Sequence, residues 1–343
     1  MLVEREAGLY CEAGGFYIDP WGAVDRALIT HAHGDHARPG SRAYLCADPC
    51  RPLLVHRFGS DAVIESVPYG EVTTIGGVRV SFHPAGHILG SAQIRIEGPG
   101  GAWVIAGDYK RAPDPTCAPF ESLPCDTFIT ESTFGLPIYR WDASDAVIDE
   151  IFEWWEHNRA DGRTSVLFCY TIGKVQRILA ELVRVTDQPA FVHGMMLPMI
   201  DVYRKMGVSL LPVSSATEQP RGKKFAGELV FAPLSARGTP WMRRMGEHSD
   251  AFASGLMRVR GVRRQRAFDR GFVLSDHADW PALLGTISET GASRVLVTHG
   301  YAEPLARHLR NAGLDSGIIR TAWEGEPTTD ATEYTEPGST GAE

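Results

Sequence analysis

Residues 26–36 read RALITHAHGDH, a short β-type run followed at once by His31, His33, Asp35 and His36. In an extended segment the side chains at i and i+2 face the same way. His31 and His33 can therefore converge on one cation while Asp35 and His36 turn toward a second. A surface His/Asp loop would explain a bare H-x-H, but it is a poor account of four ligand-type side chains in six residues behind a strand. Further candidates recur where other β-like runs end: His87 in AGHILGS, Asp108 in AGDYK and His299 in VTHG. Zinc takes imidazole nitrogen and carboxylate oxygen at roughly 2.0–2.2 Å. One Asp shared between two ions about 3.5–4 Å apart is a usual two-metal arrangement, so a single set of residues can serve two metals.

Working outward, residues 1 to 135 alternate short β-rich runs (GFYID, RALIT, GVRVSFH, SAQIRIEG, AWVIAGD, DTFITES) with Gly and Pro. From 143 the texture changes. Val147, Ile148, Ile151, Phe152, Trp154 and Trp155 recur at helical spacing, and SVLFC, GKVQRILAELVRV, AFVH and LVFAP then alternate strand with helix. Such alternation predicts an α/β unit with a parallel sheet. Short strands are expected again at GFVLSD and RVLVTHG, with one helix starting near Trp280 and another after Tyr301.

Composition narrows the class. Hydrophobic residues make up 43% and charged residues 22% of 343, which excludes collagen-like, coiled-coil and wholly disordered chains. No apolar run reaches the ~18 residues of a membrane span, so no membrane partner is expected and a cytoplasmic location is. Six cysteines without a C-x-x-C pair point to free thiols, with a structural role for Cys46 and Cys50. The net charge of −8 is misleading about partners. Residues 321–343 hold six acids and no Lys or Arg, which leaves 34 basic against 36 acidic residues over 1–320. That acidic, Thr/Pro/Gly-rich end is expected to be a disordered tail. By contrast, 257–270 (MRVRGVRRQRAFDR) carries six arginines against one Asp.

Taken in order, Asp19 in FYIDP, the His31–His36 cluster, His87, Asp108, Glu131 in TESTFG, His277 in SDHAD and His299 resemble the motifs of metallo-β-lactamase-fold hydrolases of the β-CASP nucleic-acid-processing group. They span residues 19 to 299. The opening GLYCEAGGFYIDPWGAVDRALITHAHGDHA and the segment CYTIGKVQRI are most similar to the bacterial ligase-associated DNA exonucleases, also labelled mRNA 3′-end processing factors. The resemblance implies a four-layer α-β-β-α metallo-β-lactamase fold with an inserted α/β β-CASP domain. Its parts would be 1–135 and 271–320 for the lactamase halves, 136–270 for the insert and 321–343 for the tail.

It further implies two zinc ions, with manganese an alternative in vitro. His31, His33 and His87 would hold one, Asp35, His36 and His299 the other, and Asp108 would bridge. Asp19 would orient a ligand from behind, and catalysis would rest on Asp35, Asp108, Glu131 and His277. Histidine titrates near neutrality, so His277, oriented by Glu131, is a sensible general acid for a leaving oxygen. The plainer reading of both is local: TEST is also capping sequence, and Asp279 could cap a helix with His277 simply exposed.

An insert that roofs the cleft should be lined by cations, since phosphate contacts supply most non-specific affinity. Arg258, Arg260, Arg263, Arg264 and Arg266 are the candidates, with Arg221, Lys223 and Lys224. Lys174, opening a helix at TIGK, and Ser235 in PLSARGTPW could also meet phosphate. DNA with a free or single-stranded end is the expected substrate, and an ATP-dependent DNA ligase and a helicase are the expected functional associates. An RNA-processing nuclease is the first alternative, a small-molecule ester or lactone hydrolase the second, and a non-catalytic nucleic-acid-binding protein the third.

Overall fold

The computed structural model describes residues 1–320, with the side chain of Arg263 outside the description. The expected acidic tail at 321–343 lies outside the described residues. The chain opens with β1 (Leu2–Arg5), β2 (Gly8–Cys11), β3 (Phe16–Ile18), β4 (Arg26–Leu28), β5 (Ala43–Ala47) and β6 (Ile64–Val67), which form one six-stranded sheet in chain order. It is antiparallel up to β3 and parallel beyond, with α1 (Arg51–Phe58) crossing from β5 to β6. Strands β7 (Thr73–Ile75), β8 (Val78–Pro84), β9 (Ala92–Gly98) and β10 (Gly101–Ile105) form an antiparallel meander, and β11 (Thr127–Glu131) joins β10 in parallel.

The segment that follows is α/β. It comprises α2 (Ser144–Ala160), β12 (Thr164–Phe168), α3 (Lys174–Leu182), β13 (Ala190–Val192), α4 (Leu197–Lys205), β14 (Val213–Ser215), β15 (Leu229–Ala232), β16 (His248–Ala253), α5 (Arg260–Arg266) and β17 (Arg270–Phe272). Its sheet is wholly parallel, in the order β14-β13-β15-β12-β16-β17. The chain then returns through α6 (Trp280–Thr290), β18 (Arg294–Thr298), α7 (Ala302–Asn311) and β19 (Asp315–Ile318). Strands β18 and β19 extend the second sheet beyond β11.

Alternation along the strands sorts side chains to two faces. Phe16, Ile18 and Leu28 of the first sheet meet Val80, Phe82, Ile94, Ile96 and Ile105 of the second in one apolar cluster. On its other face the second sheet presents Val104, Phe128, Val295 and Val297 to Leu283 and Ile287 of α6 and Leu305 and Leu309 of α7. The first sheet packs Ala27, Tyr44 and Cys46 with Cys50, Leu53, Leu54 and, from α4 of the insert, Met199 and Tyr203. Inside the insert every residue of β12 and β15 is buried, as a parallel strand covered on both faces requires. The stripe Val147, Ile148, Ile151, Trp154 and Trp155 of α2 supplies one of those covers. No helix among the described residues is long and apolar enough to cross a membrane.

One boundary differs from the sequence reading. The strand expected at 271–276 forms only at Arg270–Phe272, and it pairs with β16 as the last strand of the inserted sheet. Phe272 packs against the Trp154 ring, 5.6 Å between centroids, so the insert's own core keeps this strand. The inserted sheet thus runs past 270, and residues 273–279 form the passage back to the second sheet.

The loop after His87 presses on the turn before α1. Gly90 has φ of +78°, and a Cβ there would lie 2.3 Å from the Cys50 nitrogen. Gly90→Ala should destabilise the fold by about 2 kcal/mol or more, through overpacking and the positive φ together. Urea denaturation would read this, and an unchanged midpoint would contradict the close approach.

Candidate metal centre

The site is assembled from strand ends. Asp19 follows β3, Thr30 and His31 follow β4, His87 lies in the β8–β9 loop, Asp108 follows β10, Glu131 ends β11, and His299 follows β18. The ends of the two packed sheets therefore meet. Among the described residues three sets of candidate ligand atoms form, each with its members within 4.8 Å of one another: His31, His33, His87 and Asp108; Asp35, His36 and His299; and Asp108, Glu131 and His277.

In the first set the hydrogen bonds fix which ring nitrogens face inward. His33 Nε2 lies 3.1 Å from the Ile172 carbonyl and His87 Nδ1 lies 2.7 Å from the Asp276 carbonyl. A carbonyl only accepts, so each of these nitrogens carries the proton and donates it. The unprotonated atoms, His33 Nδ1 and His87 Nε2, are then 3.1 Å apart. His31 Nδ1 lies 3.1 Å from the Thr30 hydroxyl, whose own hydrogen goes to Asp19, so His31 carries its proton on Nδ1 and presents Nε2, 3.2 Å from His33 Nδ1. Three lone pairs therefore converge. Burial, with His36 and His277 respectively, drives the pKa of His31 and His87 well below the usual range, and burial lowers His33 as well. All three are held neutral, the state a metal ligand needs.

Asp108 is 5% exposed and connects the first set to the second. Its Oδ2 lies 3.5 Å from His31 Nε2 and 3.8 Å from His87 Nε2, and its Oδ1 lies 3.5 Å from His36 Nε2. Burial alone would raise its pKa, but His36 and His277 outweigh it and hold the carboxylate well below its usual range. Behind His36, Nδ1 is 2.8 Å from Asp19 Oδ2. Asp19 also accepts from the Thr30 nitrogen at 2.8 Å and the Thr30 hydroxyl at 2.5 Å, so its carboxylate is committed to positioning. That leaves His36 Nε2 buried and, among the described residues, without a hydrogen-bond partner. An orphaned imidazole nitrogen facing Asp108, with Asp35 Oδ2 at 3.8 Å and the His299 ring stacked at 4.9 Å, fits a bound divalent cation. The N/O donor set suits zinc and the harder divalent ions.

Two of these residues hold a backbone conformation unusual for their type: Asp19 has φ of +43° and His299 has φ of +55°. Such positions persist where the surroundings enforce them. The Ser132 hydroxyl, bonded to the carbonyls of Thr298 and His299, is one such restraint. Another is Gly300, whose Cβ would fall 2.4 Å from the Ser132 carbonyl oxygen.

Glu131 and His277 form a pair, with His277 Nδ1 at 2.9 and 3.1 Å from the two carboxylate oxygens. Glu131 also accepts from the Tyr109 nitrogen at 2.8 Å. Burial opposes a proton on His277, but Glu131 and then Asp108 outweigh it and raise the pKa to about 9. Trp141 donates to the His277 carbonyl at 2.9 Å. Asp279 does cap α6, accepting from the Ala282 nitrogen at 3.0 Å. His277 is nevertheless drawn to Glu131 rather than left exposed.

The residues expected to meet nucleic acid are not gathered in one place. Lys174 is the clearest departure: it is 2% exposed, with Nζ 2.8 Å from the Leu274 carbonyl and 2.9 Å from Asp276, so burial and pairing remove it from any surface groove. Ser235 is exposed in the turn after β15. Arg260 and Arg264 are exposed on α5, Arg266 is half-buried with its guanidinium 5.3 Å from the Phe252 ring, and Arg258 pairs with Asp142 at 3.1 Å. Arg258 and Arg264 line a cavity of about 580 Å³ whose acids, Asp142, Glu150 and Asp269, offset their charge. Sequence reasoning missed the carbonyls of Ile172 and Asp276, which no residue type could announce, and the restraining role of Thr30, for which the T-H dipeptide after β4 was the only signal.

Set beside known proteins, the chain is 30% identical over 326 residues to a protein of Opitutus terrae named "Probable DNA ligase", an alignment covering 92% of this chain and 31% of that protein. It is 27% identical over 211 residues to a ribonuclease of Thermus thermophilus, covering 52% of this chain and 46% of the relative. An RNase J-like protein of Methanocaldococcus jannaschii is 26% identical over 210 residues, covering 53% and 50%. The chain thus spans between about a third and a half of the length of these curated relatives. No family profile matches. A solved structure from Enterococcus faecalis, of unknown function, aligns with a TM-score of 0.58 at 10% identity, covering 87% of this chain and 80% of the other, a likeness of fold alone.

Burial opposes a proton on His36 as well, but Asp108 and Asp35 outweigh it and hold its pKa well above the usual range. Ligation by Nε2 must therefore expel a proton. Zinc affinity should rise with pH through neutrality, and calorimetric binding heats at pH 7 should differ between buffers of different ionisation enthalpy, reporting about one proton released. Buffer-independent heats would contradict the assignment.

Proposed function

The chain belongs to the metallo-β-lactamase/β-CASP family, and from that premise we propose that it is a two-metal phosphodiesterase acting on DNA ends, exonucleolytic and serving repair beside a ligase. The single observation carrying the metal-dependent part is Asp108, which turns one carboxylate oxygen toward His31 and His87 and the other toward His36. We read the two packed sheets with helices on their outer faces as the four-layer α-β-β-α arrangement, and the parallel α/β unit as the β-CASP insert.

His31, His33 and His87 would hold one ion and Asp35, His36 and His299 the other, with Asp108 shared. A pair of zinc ions so held supplies an acidified water and a clamp on phosphoryl oxygen. The chain's own residues supply the rest. His277, protonated at neutral pH and oriented by Glu131, is placed to give a proton to the departing oxygen. Asp19 holds the His36 ring in register. The exposed arginines of α5 would meet phosphates as a sequence-independent contact.

DNA is favoured because the likeness to the Opitutus terrae protein runs over 92% of this chain, against about half for the ribonucleases. That relative's name also supports work beside a ligase. The second reading is ribonuclease action by the same chemistry, favoured by the Thermus thermophilus relative.

Zinc-supplemented digestion of matched single-stranded DNA and RNA, end-labelled separately, tests both. Stepwise shortening of DNA alone supports the proposal, RNA cleavage alone moves the chain to the second reading, and cleavage of neither contradicts both. Asp108→Asn should abolish cleavage and leave much of the DNA affinity. His277→Ala should slow turnover by roughly 10²–10⁴-fold with both metals retained, and loss of a metal in that variant would reassign His277 as a ligand.

A further inference from the structure

Three cations and three carboxylates are buried together where the insert meets the second sheet: Lys110, Lys174 and Arg177 with Asp114, Glu181 and Asp276. Their side chains are between 2% and 11% exposed. Burying an ion costs several kcal/mol, and well-packed apolar residues often serve stability as well or better. The cluster is therefore a poor device for stability. What it provides is direction.

Lys174 and Arg177 stand three apart on α3 and so share a face. Lys174 Nζ reaches the Leu274 carbonyl at 2.8 Å and Asp276 Oδ2 at 2.9 Å. Arg177 Nη1 reaches the Ser275 carbonyl at 2.7 Å and Asp276 Oδ1 at 2.9 Å. Its Nη2 reaches the Ser144 hydroxyl at 2.8 Å and its Nε reaches Glu181 at 2.8 Å. Three consecutive residues, Leu274 to Asp276, are thus gripped at backbone or side chain by two cations of one helix.

The last of the three supports the metal site, because the Asp276 carbonyl accepts from His87 Nδ1. The same end of α3 reaches His33 through the Ile172 carbonyl. Between these contacts Gly173, with φ of +90°, brings the backbone so close that a Cβ would lie 2.3 Å from Ile88 Cγ2. Residues 172–177 of the insert therefore touch the supports of two of the three converging histidines.

We propose that Lys174 and Arg177 are positioning residues for the metal centre: by gripping Asp276 they fix the carbonyl that orients His87, so the His31/His33/His87 site binds its ion tightly only while the insert is seated. The proposal rests on the metal-centre reading above. It makes the insert part of the metal-binding apparatus as well as a roof for substrate, and it couples metal loading to insert position.

The test is zinc affinity of the whole chain, by competition against a chromophoric chelator, for wild type and Arg177→Met, with ¹⁵N ring shifts of His87 recorded in the metal-free proteins. One of two zinc ions should bind about 10- to 100-fold more weakly in the variant, the other should be unchanged, and His87 should lose its single Nδ1-protonated form. Should Arg177→Met fail to fold, Lys174→Met keeps Arg177 to neutralise Asp276 and should shift the same ion in the same direction. Variants that hold both ions as tightly as wild type and keep the His87 tautomer, whatever their thermal stability, would overturn the positioning role alone. A wild-type chain that binds no zinc would instead overturn the metal-centre reading beneath it.

Discussion

The centre depends on one buried carboxylate. Asp108 is surrounded by His31, His36, His87 and His277, with ring nitrogens 3.5–3.9 Å from its oxygens. An unpaired carboxylate at this depth would be driven toward its neutral form. Here the histidines hold it charged, and in return it helps hold a proton on His36 and, behind Glu131, on His277. This mutual dependence also separates the histidines by role. Where burial and neighbouring imidazoles outweigh the carboxylates, at His31, His33 and His87, the ring is held neutral, and where the carboxylates outweigh burial, at His36 and His277, it keeps its proton.

The fold exists around this arrangement in a specific sense. Two sheets packed face to face bring strand ends from both sheets to one side, and neither sheet alone carries enough of the site. The insert then closes the ring of supports through Ile172 and the passage at Leu274–Asp276. A parallel α/β unit suits that task, because the loop leaving the carboxyl end of its strand β12 delivers Ile172 and the start of α3 to the cleft. Two of the non-glycine residues with positive φ, Asp19 and His299, lie in the centre, where the strain aims their side chains.

Much of this was legible in residue order. The H-x-H-x-D-H run behind a strand, the recurrence of His and Asp at strand ends, and the shift to α/β texture after 143 all have direct physical signatures, and the structure brings those residues within a few ångströms of one another. Illegible were the features made by backbone rather than side chain. Nothing in the residue types at 172 or 276 tells that their carbonyls would meet His33 and His87. Lys174 reads as a surface cation by type, and only tertiary packing shows it buried against Asp276. The strand at Arg270–Phe272 looked like part of the returning half because its length and apolarity suit either sheet. Phe272 against Trp154 decides between them.

The claim at the centre is that a single carboxylate is shared between two metal ions. Diffraction from zinc-soaked crystals, collected on either side of the zinc absorption edge, tests it most directly. Two anomalous peaks are expected about 3.5–4 Å apart, one beside His31, His33 and His87, the other beside Asp35, His36 and His299, with Asp108 between them. A lone peak away from Asp108, or one drawn to Glu131 and His277, would contradict it.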